Sequence, residues 1–213
     1  MKLVDPSATL LFPHLLNDAV ERIEFCGRLA YKSQEKIAPG TAAPFVRTLR
    51  DQEHGTVIEH AHATIHFVTN RGVSHELCRH RTGITITQES TRYCNYSRDQ
   101  FGNGVTFLQP HWRKSEDTDW IDWHLALAES ERVYLEMLAK GKRTDEARGV
   151  LPNDLKTELI VTCNLWQWRY IFKKRLMSPR AHKDMRHVMN MAVKQLQDKV
   201  PVLFDEFHPE DLV

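Results

Sequence analysis

The chain is poor in the residues that would organise a small crosslinked or metal-stapled fold. It has four cysteines in 213 residues, Cys26, Cys78, Cys94 and Cys163, widely spaced and without a CxxC pair. That pattern argues against a disulfide framework and against a zinc knuckle. No signal-like segment precedes them, so the expectation is free thiols in a reducing cytoplasm. Nine glycines and nine prolines, none strongly clustered, mark no linker. No repeat or low-complexity tract appears, and one domain over residues 1–213 is the expectation. No apolar run approaches the roughly 20 residues of a membrane span, which points to a soluble protein. Charge of one sign is also missing: 29 Lys and Arg against 28 Asp and Glu give no bulk attraction to nucleic acid or an anionic membrane. Any anion site must be local. The sequence contains neither GxxxxGK[ST] nor GxGxxG, so side chains rather than a glycine-rich loop must bind any phosphate.

What is present is a set of periodic segments. Val20, Ile23, Gly27 and Ala30 follow Asp18 at helical spacing and predict a helix over 18–31 with Asp18 as its cap. Pro44 is expected to open a second helix that stops before Gly55. In EHAHATIHFVT the period becomes two: Ala61, Ala63, Ile65 and Phe67 make one apolar strand face, and His60, His62, Thr64 and His66 the other. Ser74 is expected to cap a short helix carrying HELCRHR, with ITITQES and TRYCNYS extended and Val105–Leu108 a strand. Trp120, Trp123, Leu127, Tyr134 and Leu138 share the stripe of a helix spanning about 116–140, stopped by Gly141. Thr144 is expected to cap a short DEAR turn. Asn164 is expected to cap a helix through Leu165, Trp168, Phe172 and Leu176, and Met185, Val188, Ala192 and Leu196 belong to a last one. With helices at both ends, strands in the middle and no βαβ alternation, the pattern reads as α+β, a central, mostly antiparallel sheet flanked by helices.

The chemistry concentrates in CRHRTGITITQESTRYCNYS, residues 78–97. Arg79, Arg81 and Arg92, with Ser90 and Thr91, supply guanidinium forks and hydroxyls of the kind that hold a phosphate. Arg175 lies at the edge of the apolar stripe that contains Phe172 and Leu176, where a half-buried cation requires an anionic or acidic partner. The strand histidines His60, His62 and His66 are too loosely spaced, and too short of a carboxylate or cysteine partner, to read as a metal site, and no metal is expected. Cys78 stands two residues from His80. That spacing turns the two side chains apart on a helix, so Cys78 reads as a buried structural thiol, and Cys26, Cys94 and Cys163 as core.

These residues also carry a resemblance. Arg79-His80-Arg81 followed by Ser90, Arg92 and Tyr93 is similar to the RHR…S.RY signature of the flavin-dependent thymidylate synthase (ThyX) family. HGTVIEH (54–60), EARGVLP (146–152), TCNLWQWRYIFKKR (162–175) and AHKDMR (181–186) resemble further blocks of that family in the same order. The resemblance implies an α+β homotetramer that reductively methylates dUMP, with methylenetetrahydrofolate as carbon donor and NADPH as hydride source through FAD. It implies FAD contacts at His54, Thr56, Glu59, Arg79, His80, Arg81, Gln88, Asn164 and Tyr170. It implies dUMP contacts at Glu76, Arg79, Gln88, Glu89, Ser90, Thr91, Arg92, Arg175 and, from another chain, Arg148. Arg175 is the residue it makes catalytic, a fixed cation at the uracil edge. Two departures stand out. Eight residues separate Arg81 from Ser90 where seven are usual, and Glu76 occupies a place where the family often has Gln.

Two other readings compete. A relative of the same family could act on another pyrimidine nucleotide such as UMP, or make a hydroxymethyl product. A noncatalytic RNA-binding module built on two basic clusters, Arg79 to Arg92 and the nine Lys and Arg from Arg169 to Lys199, is disfavoured by the balanced charge and by the lack of a recognised RNA-binding motif.

Overall fold

The computed structural model describes residues 1–208. In chain order its elements are β1 (Lys2–Val4), β2 (Ser7–Leu11), α1 (Ala19–Ala30), α2 (Ala42–Asp51), α3 (Gly55–Ile58), β3 (His62–Asn70), α4 (Arg71–Leu77), β4 (Ile84–Gln88), β5 (Thr106–Leu108), α5 (Trp120–Ala139), α6 (Thr144–Ala147), β6 (Lys156–Asn164), α7 (Leu165–Arg175), α8 (Lys183–Lys199) and α9 (Pro201–Phe204). A four-stranded sheet has the order β2-β3-β6-β4, and β1 pairs in parallel with β5 in a separate two-stranded sheet. The β3–β6 pairing is antiparallel: the Leu165 N–H donates to the Ala61 carbonyl at 2.8 Å, and Thr64 faces Thr162 with hydroxyls 2.9 Å apart. Position therefore advances along one strand as it retreats along the other. The chain is α+β, its antiparallel sheet flanked by helices.

The residue contacts group into two compact units interleaved in sequence. The first holds residues 1–7, 67–79 and 87–159; of the described residues the second holds 8–66, 80–86 and 160–208. The core of the first is built from Tyr96, Val105, Phe107, Leu127, Tyr134, Ala147 and Leu155, with Trp123 and Leu138 packed against it. The α5 stripe therefore faces inward as its spacing requires. In the second unit Trp168 is fully buried, stacks on Phe172 with centroids 5.7 Å apart, and donates its indole N–H to the Ala63 carbonyl at 3.0 Å. Burying two such rings contributes several kcal/mol, roughly 1.5–3 kcal/mol for each large apolar side chain. That seats α7 on β3, whose Ala63 and Ile65 are also buried, as is Ala61 just ahead of it.

Several local expectations are corrected. α4 is capped by Asn70, whose Oδ1 accepts from the Val73 N–H at 2.8 Å, while Ser74 lies inside the helix with its hydroxyl on the Arg71 carbonyl at 3.0 Å. An Asn one turn earlier captures the first unpaired N–H groups, so RHR falls beyond the helix end. TRYCNYS is not extended. The N–H groups of Tyr93 and Cys94 both turn back to the Ser90 carbonyl, at 3.1 and 2.9 Å. Thr144 is not a cap either: Glu146 reaches back to the Arg143 N–H at 2.9 Å, and the Thr144 hydroxyl donates to the Arg92 carbonyl. Asp18 makes no side-chain cap and pairs with Arg22 instead. α2 starts at Ala42, two residues ahead of Pro44. The strands β1, β2 and β6 had not been anticipated. In β6 the buried Thr157, Leu159, Val161 and Cys163 alternate with Lys156, Glu158, Ile160 and Thr162, a two-residue period that the polar Thr157 on the buried face and the apolar Ile160 on the other partly mask.

Candidate active site

The second unit assembles one cluster around α7. Asn164 is the helix cap: its Oδ1 accepts from the Gln167 N–H at 2.7 Å. At the other end of α7, Arg175 Nε donates to His80 Nε2 at 3.1 Å. A nitrogen that accepts this bond carries no proton, so His80 is the neutral tautomer with its hydrogen on Nδ1. Its acidity agrees. Burial, and then the Arg175 charge, hold His80 below the ordinary histidine range. The half-exposed Tyr170 ring meets His80 edge-on, centroids 6.0 Å apart. Between His80 and β4 the chain turns at Gly83, whose φ of +63° is the left-handed region that glycine enters without strain. Asn164 Nδ2 lies 3.7 Å from where a Gly83 side chain would begin.

Along α7, Trp166, Arg169, Tyr170, Lys173 and Lys174 join Glu53 around a pocket of about 290 Å³. Gly55 of α3 lies so close to the Trp166 ring that an added Cβ would stand 2.4 Å from its Nε1. Arg169 is committed to structure, donating to the Leu203 carbonyl and, at 2.7 Å, to Glu206. His54, Thr56, Glu59 and Arg81 are exposed. The Trp166 and Tyr170 rings and the Lys173 and Lys174 ammonium groups, with the Glu53 carboxylate beside them, suit a ligand that is planar, aromatic and anionic, and a flavin nucleotide fits that description.

The first unit gathers the other expected residues. Ser90, Thr91 and Arg92 form a tight turn: the Ser90 hydroxyl accepts from the Arg92 N–H at 3.3 Å, and Arg148 donates to the Thr91 hydroxyl at 3.1 Å within the same chain. The resemblance supplies Arg148 from a second chain; here it already meets the turn of its own. Arg92 and Arg148 are exposed, and the Arg92 guanidinium lies 5.5 Å from the Tyr93 ring centre. Gln88 donates to Ser74 and Thr157 at 2.8 and 3.1 Å. Glu89 accepts from the Tyr96 hydroxyl at 2.7 Å and from Lys156 Nζ at 3.1 Å. Arg79 is exposed just past α4, and Glu76 is half-buried on it. Cys78, expected to be buried, is exposed, while Cys26 and Cys94 are half-buried and Cys163 is core.

Sequence reasoning missed Lys156, Tyr96 and Thr157 in this cluster. The alternation of β6 was the signal that would have brought Lys156 and Thr157 alongside QES. Among the described residues no group of three or more His, Cys, Asp or Glu could hold a metal ion, and no helix is long and apolar enough to cross a membrane.

Guanidinium forks and hydroxyls in one unit, with aromatic rings and cations in the other, define a protein equipped for aromatic anions of the nucleotide kind. The model of the thymidylate synthase complementing protein family (Thy1) matches residues 11–202, and the chain belongs to that family. Relatives named flavin-dependent thymidylate synthase include one from Corynebacterium aurimucosum, 30% identical over 87% of this chain and 79% of its own. Another from Corynebacterium efficiens is 27% identical over 97% of this chain and 87% of its own. A third, from Pyrococcus furiosus, is 29% identical over 78% and 67%. Among solved structures, the UMP/dUMP methylase PolB from Streptomyces cacaoi bound with 5-Br dUMP superposes with a TM-score of 0.74 at 20% identity, covering 96% of each chain. At that identity the likeness speaks for the fold.

Proposed function

We propose that this protein is a flavin-dependent thymidylate synthase that reductively methylates dUMP to dTMP, taking carbon from 5,10-methylenetetrahydrofolate and hydride from NADPH through FAD. In this reading it works as a cytoplasmic homotetramer. The observation that carries the proposal is the bond from Arg175 to His80, which ties the end of the asparagine-to-arginine helix to the centre of RHR. A neutral imidazole takes the Arg175 Nε–H and so orients the guanidinium without adding charge of its own. An oriented cation at the uracil edge stabilises negative charge that develops on the ring as C5 becomes nucleophilic. The resemblance assigns the FAD to His54, Thr56, Glu59, Arg79, His80, Arg81, Gln88, Asn164 and Tyr170. Bound FAD supplies the redox chemistry, and the protein supplies orientation and field. Ser90, Arg92 and Arg148 would take the phosphate, with Glu76, Arg79, Thr91 and backbone groups of the turn around it.

The test is direct. Purified protein should be yellow and should form dTMP only when dUMP, the folate, NADPH and flavin are all present; a colourless protein unable to bind FAD refutes the proposal. The UMP/dUMP description of the fold neighbours makes UMP the substrate to run beside dUMP. Product masses from both reactions assign the nucleotide.

A further inference from the structure

Glu89 is an awkward neighbour for a phosphate site. It directly precedes Ser90, and a carboxylate beside the Ser90–Arg92 turn would repel the anion that the turn is built to receive. Its own bonds resolve the conflict. One carboxylate oxygen accepts from the Tyr96 hydroxyl at 2.7 Å and the other from Lys156 Nζ at 3.1 Å, while its backbone N–H donates to the Glu158 carbonyl at 2.9 Å. The pair is well covered, with 20% of the Lys156 side chain and 16% of the Glu89 side chain exposed. Lys156 also bonds Glu158. Among the groups of the turn and those bonded to it through Glu89 and Lys156 there are thus two carboxylates, Glu89 and Glu158, against three cations, Lys156, Arg92 and Arg148. Without Lys156 the local charge is balanced before any phosphate arrives.

We propose that Lys156 is a positioning residue for the nucleotide: it holds Glu89 against Tyr96 and cancels its charge, leaving the Ser90–Arg92 turn and Arg148 positive enough to bind a phosphate dianion. This rests on the nucleotide reading given above. It assigns Glu89 a part in shaping the turn rather than a contact with the ligand. Lys156 acts through Glu89 and touches no reacting atom.

The experiment is calorimetric titration of the flavin-loaded protein with dUMP and with deoxyuridine, which lacks the phosphate. Lys156→Met should weaken dUMP binding roughly three- to tenfold, the scale of one unbalanced charge near a half-exposed anion site. Deoxyuridine binding should not change. The loss should shrink in about 1 M salt, where the Debye length is about 3 Å. Glu89→Gln placed on Lys156→Met should restore dUMP affinity, because the uncompensated charge is then gone. Unchanged dUMP binding in Lys156→Met overturns the inference, and so does a double variant as weak as the single one, which would mark a packing defect. If Lys156→Met does not fold, Glu89→Gln alone decides: affinity equal to or above wild type supports the inference, and a loss of about tenfold, as expected for a lost charged ligand contact, overturns it. Wild-type protein that binds flavin but not dUMP sinks the nucleotide reading together with this inference, whereas normal wild-type binding with an unaffected Lys156→Met sinks this inference alone.

Discussion

Arg175 Nε and His80 Nε2 meet at 3.1 Å although 95 positions separate them in the chain. The contact joins a guanidinium at the C-terminal end of α7 to an imidazole beyond the end of α4, and it requires that imidazole to be neutral. Its acidity, its orientation and the chemistry proposed for Arg175 therefore depend on one another.

Arg175→Ala is expected to lower turnover by a hundredfold or more, roughly the effect of removing one preorganised charge donor from a reacting centre, with FAD still bound. In the same variant the His80 pKa should rise only part of the way to its ordinary value, since burial, the larger cause of its depression, is untouched. Turnover assays, flavin absorbance and a histidine NMR titration check the three statements. Normal turnover would remove Arg175 from the catalytic role.

The pH dependence follows from the same pair. His80 titrates below the unfolded value of 6.5, so between its folded pKa and 6.5 the unfolded chain binds more protons than the native one. The stability contributed by keeping His80 neutral is complete above 6.5 and is lost as pH falls through that window. Protonation also places a hydrogen on Nε2 and breaks the bond from Arg175. Urea midpoints measured across this range should fall on acidification, and the His80-dependent part of the fall should vanish in His80→Gln.

Asn164 allows a structural role to be separated from a binding role. Asn164→Ala removes the α7 cap and should cost about 1 kcal/mol of stability. Asn164→Asp keeps an oxygen for the Gln167 N–H and should retain that stability, yet it deletes the amide donor and adds a charge. If Asn164 serves the flavin as proposed, the Asp variant should bind FAD more weakly at near-native stability. Equal FAD affinity would confine the residue to capping. Chemical denaturation and flavin titration give the two readings.

Gly55→Ala drives a methyl group into the Trp166 ring, where the available distance is 2.4 Å. The ring must shift, and a cost of about 1–3 kcal/mol is expected for overpacking of this kind. Trp166 lines the α7 pocket, so its fluorescence should change along with the melting temperature. An unchanged melt and spectrum would show that the ring relocates without penalty.

Tyr96→Phe deletes the hydroxyl that donates to Glu89 from a ring 7% exposed. Loss of a hydrogen bond to a charged group in such a setting costs about 1.5–3 kcal/mol, measurable by urea unfolding. Burial, and then the Glu89 charge, raise the phenol well above the ordinary tyrosine range. Its ionisation therefore contributes no pH dependence near neutrality.

Much of the fold could be read from local pattern. The apolar stripe of α5, the alternation of Ala61, Ala63, Ile65 and Phe67, and the Asn164 cap are each set by neighbours within about one or two turns or a few strand positions. Where two polar residues competed for the same role, reading the sequence chose wrongly. Asn70 rather than Ser74 caps α4, and the Arg143–Glu146 pair rather than Thr144 opens α6, because a cap is fixed by which backbone N–H groups the preceding strand or loop leaves unpaired. β6 escaped notice because its buried Thr157 is polar and its exposed Ile160 apolar, so residue type does not follow the alternation throughout.

The candidate site divides along the same line. The sequence by itself determined the chemical inventory: guanidinium forks, hydroxyls and aromatic rings in ordered blocks, with no glycine-rich phosphate loop to replace them. Only the tertiary structure decided that Arg175 would find His80, that Arg148 would reach Thr91 of its own chain, and that Glu89 would be matched by Lys156, 67 residues away. Propensity and periodicity act over a few residues, whereas these pairings depend on strand order and on how each helix beds on the sheet, which the buried core sets as a whole.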